Sequence, residues 1–316
     1  MTPGRYEAPS AERRRLTGSL QKRGTRMGMS NLGGIAFGGV FAAVGTYIIL
    51  IGTKTVAVNP SSVHAPYWVL TLIGVSFALG GCAIWGGTWK QYKTERWRAQ
   101  AAKRFPNEPA LVDYPWHPDG FVVSDWPAAA KTFALALGLS VFLSMFNWWA
   151  LGPDGVLMVK IITGIFDLIT LAFWCSAFRQ LAGALKFGHT RVDYTTFPYR
   201  PSNPVIIRWQ PLGKVSRINK GTFTLRCVEE WMEVTTRGNE RTSTLVHEEL
   251  WSAQWLVEEP HTLQPQEDVE LRFVLAPDAR PTCLAADKPL FWELEVKLNL
   301  PGLNFKEIYL VPVYGN

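Results

Sequence analysis

Two hydrophobic patterns divide this chain near residue 178. Before it, apolar positions come in long, nearly uncharged runs: Leu32–Ile51, Tyr67–Trp85, Phe133–Leu151 and Val156–Phe178. Each approaches the ~20 residues that an α-helix needs to cross the hydrocarbon of a bilayer. After it, apolar residues alternate with charged and polar ones, the period of a half-buried β-strand. The pattern predicts a membrane α-helical bundle of four transmembrane helices followed by an all-β domain. The expected boundaries are a basic, disordered tail over 1–30, a four-helix region over 31–186 with a loop at 90–131, and a β domain over 187–316.

The helical half carries its own punctuation. Lys90–Arg104 holds helix formers of mixed charge and extends the second span, which Phe105-Pro-Asn-Glu-Pro109 ends because proline cannot continue the hydrogen-bond ladder. A turn-rich aromatic stretch, Tyr114–Phe121, leads to the third span, with Ser124 or Asp125 as its cap. In the first span Gly34, Gly38, Ala42 and Thr46 recur every four residues and make one small-residue face. Such faces let helix backbones approach closely. Packing within the bundle is the first use expected of it, and a homo-oligomer through the Gly34/Gly38 face is the alternative.

In the second half, prolines 198, 201, 204 and 211 mark a linker around a strand at Val205–Trp209. Strands are then predicted over Thr222–Thr235 and Arg241–Val257, joined by a hairpin turn at Arg237-Gly238-Asn239-Glu240. Further strands follow at Val269–Leu275, around Trp292–Leu298, and at Phe305–Tyr314 after Pro301-Gly302. Short strands with turns every ten or so residues suggest an antiparallel β-sandwich.

Charge refines the picture. The net charge of +6 sits mostly beside the spans, not along a stripe on the β half, which argues against nucleic acid as a partner. Basic residues crowd the segment before the first span (Arg13, Arg14 and Arg15 among them), the loop after the second, and the residues after the fourth. The two remaining loops hold only Lys54 between them. By the positive-inside rule, a bacterial-type inner (cytoplasmic) membrane location is expected, with both termini and the β domain cytoplasmic. Tryptophans 68, 85, 89, 148 and 149 stand where spans end, as interfacial anchors do, so membrane lipids are expected neighbours.

The closing residues follow an order that resembles a known fold. Leu275-Ala-Pro-Asp-Ala-Arg-Pro281, Phe291-Trp-Glu-Leu-Glu-Val296, Leu300-Pro-Gly-Leu-Asn304 and Tyr309-Leu-Val-Pro-Val313 resemble the last strands of arrestin-like domains. There, a proline-bearing loop precedes a Trp-x-Leu-x-Val strand, a proline-glycine turn and a Val-Pro-Val-like run. The resemblance covers roughly 205–316 and implies a C-terminal antiparallel β-sandwich, arrestin- or immunoglobulin-like, that binds protein partners by groove or strand-edge contacts. Arrestin-fold proteins are adaptors and scaffolds; the familiar ones are soluble, and a four-helix anchor departs from them.

Candidate chemistry is sparse. Lys160, Thr163, Asp167, Thr170 and Trp174 follow 3,4,3,4 spacing and form one stripe of the fourth span, with Asn147 of the third span as a companion. A carboxylate at mid-bilayer costs ~3 kcal/mol on insertion scales, so Asp167 needs a partner or a watery cavity. It reads either as an ion or proton site or as polar glue between helices, the second being favoured two to one. His247-Glu248-Glu249 lacks the second histidine of a zinc motif and reads as a solvated strand face. The four cysteines include no C-x-x-C pair and the five histidines no ligand spacing, so no metal and no cofactor is expected; Cys227 and Cys283 could pair across a sandwich but in a cytosolic domain read as buried free thiols. With no G-x-S-x-G and no nucleophile–base pair, catalytic residues are not expected and an enzyme is not the reading. The expected role is a membrane-anchored scaffold or adaptor whose β domain binds a protein partner. The alternative is a small transporter or channel subunit using the Asp167 stripe.

Overall fold

The computed structural model describes residues 4–17, 22–24, 31–59, 66–152, 157–201, 203–213, 217–237, 240–258, 260–262 and 267–315. In chain order the elements are strands β1 (Arg5–Ser10) and β2 (Arg14–Arg15), helices α1 (Asn31–Gly52), α2 (Tyr67–Arg104) and α3 (Pro109–Asp113), and strand β3 (Phe121–Ser124). Helices α4 (Trp126–Leu151) and α5 (Leu157–Phe187) follow, then β4 (His189–Tyr194), β5 (Val205–Pro211), β6 (Arg217–Ile218) and β7 (Lys220–Arg237). The last are β8 (Glu240–Val257), β9 (His261–Thr262), β10 (Val269–Phe273), β11 (Leu290–Asn299) and β12 (Phe305–Val311). They form two compact units. One draws on 1–26, 100–126 and 182–316, the other on 27–99 and 127–181.

The second unit contains the apolar stretches of α1, α2, α4 and α5, four helices long and apolar enough to cross a membrane. Its α1 and α2 pack closely. A Cβ added at Gly45 would lie 2.4 Å from the Ala78 nitrogen and 2.6 Å from the Gly74 oxygen, and one at Gly81 would lie 2.6 Å from the Gly38 oxygen. The two backbones therefore touch where both lack side chains. The Gly34/Gly38 face is filled by α2 of the same chain, through Thr88 at Gly34 and Trp85 at Gly38. The Trp85 indole N–H closes this seam by donating to the Ile35 carbonyl at 2.9 Å.

The first unit holds two antiparallel sheets, ordered β1-β8-β7-β11-β12 (with β2 also on β8) and β10-β5-β4-β3, and a small β6-β9 pair. Alternation places Val205, Ile207 and Trp209 of β5 and Val269, Leu271 and Phe273 of β10 in one core with Phe223 and Leu225 of β7 and Trp292, Leu294 and Val296 of β11. Trp209 is at its centre, 5.6 Å from Phe223 and 5.8 Å from Phe305 between ring centroids, its N–H on the Tyr309 hydroxyl at 3.2 Å.

Most expected strands fall where the alternation put them, and the strand among the 198–211 prolines runs from Val205 to Pro211. The turn at Gly238-Asn239 lies outside the described residues. Two expectations are corrected. Residues 1–30 do not read as a disordered tail where described: β1 pairs antiparallel with β8, Arg5 opposite Leu256 and Glu7 opposite Gln254, and β2 sets Arg14 opposite Glu249. The loop at 90–131 is likewise divided, its second part belonging to the β unit. There β3 joins the second sheet, Val123 opposite Thr190. Asp113 ends α3 and accepts the backbone N–H groups of Leu284 at 2.8 Å and Ala285 at 3.0 Å, together with the Tyr314 hydroxyl at 3.0 Å. In both segments long-range hydrogen bonds supply what local periodicity lacks.

Candidate functional site

Two polar constellations stand out, one in each unit. In the helical unit, Asn147 of α4 donates from its side-chain amide to the Asp167 carboxylate of α5 at 2.8 Å. Seven residues along each helix, about two turns away, the Trp174 N–H donates to the Ser140 hydroxyl at 2.9 Å. Between them runs a groove of about 790 Å³ lined by Ser140, Ser144, Asn147, Asp167, Thr170 and Trp174 among others. Thr170 is buried, with its hydroxyl donating to the Phe166 carbonyl at 3.0 Å. Thus Asn147 of α4 meets Asp167 and Thr170 of the stripe around this groove. Lys160 and Thr163 do not line the groove: Lys160 is exposed and Thr163 is buried elsewhere on α5. A lone carboxylate held by one amide can link two helices or accept a proton or cation from the groove.

The second constellation lies in the β unit, on the face of the six-stranded sheet that turns away from the common core. Arg226 of β7 reaches Glu293 at 2.6 Å and Glu295 at 3.2 Å on β11, all three buried, and Lys297 meets Glu295 at 2.7 Å. Nearer β8, Glu230 accepts from His247 at 2.8 Å, both again buried. The residues His247-Glu248-Glu249 are therefore not a solvated strand face, since His247 and Glu249 are each 4% exposed.

The N-terminal segment supplies the partners of this acidic seam. The Arg14 guanidinium lies 3.4 Å from Glu249, which also accepts the Ser252 hydroxyl at 2.9 Å. Arg15 meets Glu233 at 3.1 Å, and the Leu16 N–H donates to the His247 carbonyl at 2.9 Å. Farther on, the backbone N–H groups of Arg23 and Gly24 donate to the two oxygens of Glu230 at 2.8 and 3.0 Å. Gly24 is required there, because a Cβ would lie 2.4 Å from Pro289 and 2.7 Å from Glu230. At the other end Gly4 has φ +109° and lies so near the Leu256 carbonyl that no side chain fits.

Burial works to raise the Glu230 carboxyl, but the hydrogen bonds from His247, Arg23 and Gly24 outweigh it and hold the pKa below its usual 4.5. Glu295 behaves alike: burial raises it, and the Lys297 hydrogen bond with the charges of Arg226, Lys297 and Lys306 lowers it further. Burial pushes the Cys227 thiol up to about 12, which leaves it a packing group. All four cysteines are free, and Cys283 is exposed rather than buried. Among the described residues no group of three or more His, Cys, Asp or Glu is placed to hold a metal ion.

Sequence reasoning missed the acidic seam because charges alternating along a strand ordinarily mean a wet face. The signal that could have found it is complementarity: a basic triplet, Arg13-Arg14-Arg15, in a chain whose β half carries Glu229-Glu230 and Glu248-Glu249.

No protein-family model matches the sequence, and no curated protein matches it. Among solved structures, the crystal structure of the sporulation control protein Spo0M from Bacillus subtilis is similar to 40% of this chain at 16% identity, with a TM-score of 0.27. The match takes in 49% of that protein, about half of its length. A likeness this slight carries no argument about the site, which stands on its own geometry.

Proposed function

We propose that the protein is a membrane-anchored scaffold or adaptor, its four helices seated in the cytoplasmic membrane and its arrestin-like β-sandwich binding a protein partner on the cytoplasmic side. The observation that carries this reading is strand addition at the β8 edge. That edge takes an extra antiparallel strand from a sequence-distant segment, 235 residues away at the Arg14–Glu249 contact. Recognition by an added strand draws affinity from main-chain hydrogen bonds and specificity from flanking side chains. The positive charge beside the spans supports the cytoplasmic placement. Affinity purification of the detergent-solubilised protein, full-length and lacking 187–316, tests the reading. A specific partner lost with the β domain is the expected result; a partner kept by the truncated chain, or none in either sample, contradicts it.

A second reading is favoured by one observation, the Asn147–Asp167 pair opening on its groove: a small transporter or channel subunit. Asp167→Asn separates the two. Lost ion or proton movement with intact folding supports transport, and an indifferent variant supports the adaptor.

A further inference from the structure

We propose that the outer edge of β8, together with Glu233 and Glu249, is an acceptor for an extended, arginine-bearing segment of a protein partner, and that residues 5–15 occupy it as an intramolecular competitor. The inference rests on the adaptor reading and names the chemistry of the partner.

The resident segment is held as a replaceable one would be. Along β1 only Tyr6 is even half-buried, its ring 5.2 Å from Trp255 and 6.4 Å from Phe273. The register on β8 shifts between Glu7 and Ser10, and β2 is two residues long. Both ion pairs leave the arginine largely in water, with Arg14 67% and Arg15 60% exposed. Exposed pairs of this kind contribute little singly.

The acceptor side differs at Glu249, which is buried, whereas Glu233 is 41% exposed. The Glu249 side chain is 6% exposed, and Arg14 is its cation. A buried carboxylate stripped of its cation is costly, so whatever displaces the segment must return one. The register then specifies the ligand: adjacent basic residues opposite Glu249 and Glu248, the second reaching Glu233, and an aromatic ring for the corner of Trp255 and Phe273. Acidic or phosphorylated segments are excluded by the same charges. The edge also continues past the resident, since β8 from Arg241 to Val246 has no strand on its outer side among the described residues. A partner strand can therefore start there and advance into the occupied stretch.

A fluorescent peptide carrying residues 4–17 is the probe. It is titrated against the detergent-solubilised full-length protein, intact or cut after folding at a protease site inserted following Thr17. Cutting turns the tethered competitor into a free one, so apparent affinity should rise roughly 100-fold. A peptide with Arg14→Glu and Arg15→Glu should bind about tenfold more weakly than the parent, the loss of two modest ion pairs. A full-length Arg14→Glu/Arg15→Glu variant should bind the parent peptide better than wild type without any cut.

The inference is overturned if the cut protein keeps its folded near-ultraviolet spectrum yet binds no peptide at millimolar concentration, or if both peptides bind alike. It is overturned as to partner if differently tagged full-length chains associate through this edge and lose the association on charge reversal, which would assign the surface to a second copy. The adaptor reading fails separately: peptide binding with no co-purified partner sinks that reading and leaves the strand acceptor standing.

Discussion

In the helical unit close packing comes from removing side chains, whereas in the β unit it comes from pairing them. Gly45, Gly74, Gly81 and Gly38 let α1 and α2 meet backbone to backbone. The six-stranded sheet instead buries Arg226, Glu293, Glu295, Glu230, His247 and Glu249 and matches each with an opposite charge or a donor. The solvents each unit is suited to explain the difference. Between helices in lipid, tails are as apolar as leucine, so contact depends on shape. In a water-facing sheet, buried charges tie distant segments to one geometry at the cost of desolvation, and losing one partner is far more damaging than removing both.

The comparison is broken most severely at Arg226. Arg226→Ala leaves Glu293 buried without its cation, Glu295 keeping Lys297 and Lys306, and should destabilise the β unit by about 3 kcal/mol, read by chemical denaturation, while α1–α2 packing is unaffected. Gly45→Leu is the mirror experiment. Its side chain must displace the α2 backbone at Ala78, and a cost near the upper end of roughly 1–3 kcal/mol should fall on the helical unit alone, read by loss of helix–helix cross-links. Asp113→Ala removes the acceptor of two backbone N–H groups and a hydroxyl, about 2 kcal/mol, and should free the 105–120 segment to proteolysis.

Acid should act on the β unit first. The Glu230 and Glu295 carboxyls titrate below 4.5 when folded, so their stabilisation is fully present above about pH 4.5 and lost as pH falls through the lowered values. Protease sensitivity of the N-terminal segment should accordingly stay flat from pH 7 to about 5 and rise below 4.5, and Glu230→Gln should flatten part of that rise. The smallest effect is expected at Asn147→Ala, about 0.6 kcal/mol, since hydrogen bonds between membrane helices average near that value.

How much of this was legible in sequence follows the same division. Long apolar runs located α1, α2, α4 and α5 by length and composition, and alternation located β7, β8, β11 and β12 because one face of each packs in the core. β4 stands just before the prolines, in a stretch that reads as linker, although Thr190, Val192 and Tyr194 alternate inward with His189, Arg191 and Asp193. β1 could not be read at all: Arg-Tyr-Glu-Ala-Pro-Ser has one apolar anchor and a proline, and it is a strand only because β8 offers hydrogen bonds and acid. In the groove, Asp167 of the stripe meets Asn147, while Lys160 and Thr163 share the spacing but not the cavity, since a helical stripe is longer than any one contact. The seam's N-terminal partners lie more than 200 residues away in sequence, so only the complementarity of charge could signal them.

Amide hydrogen exchange over residues 4–17 of the full-length protein in detergent tests the account at its centre. Protection along Tyr6–Glu7 and at Leu16 that disappears in Arg14→Glu/Arg15→Glu, while β11 remains protected, is the result predicted. Exchange of the whole segment at the rate of an unfolded chain in the wild-type protein would contradict it.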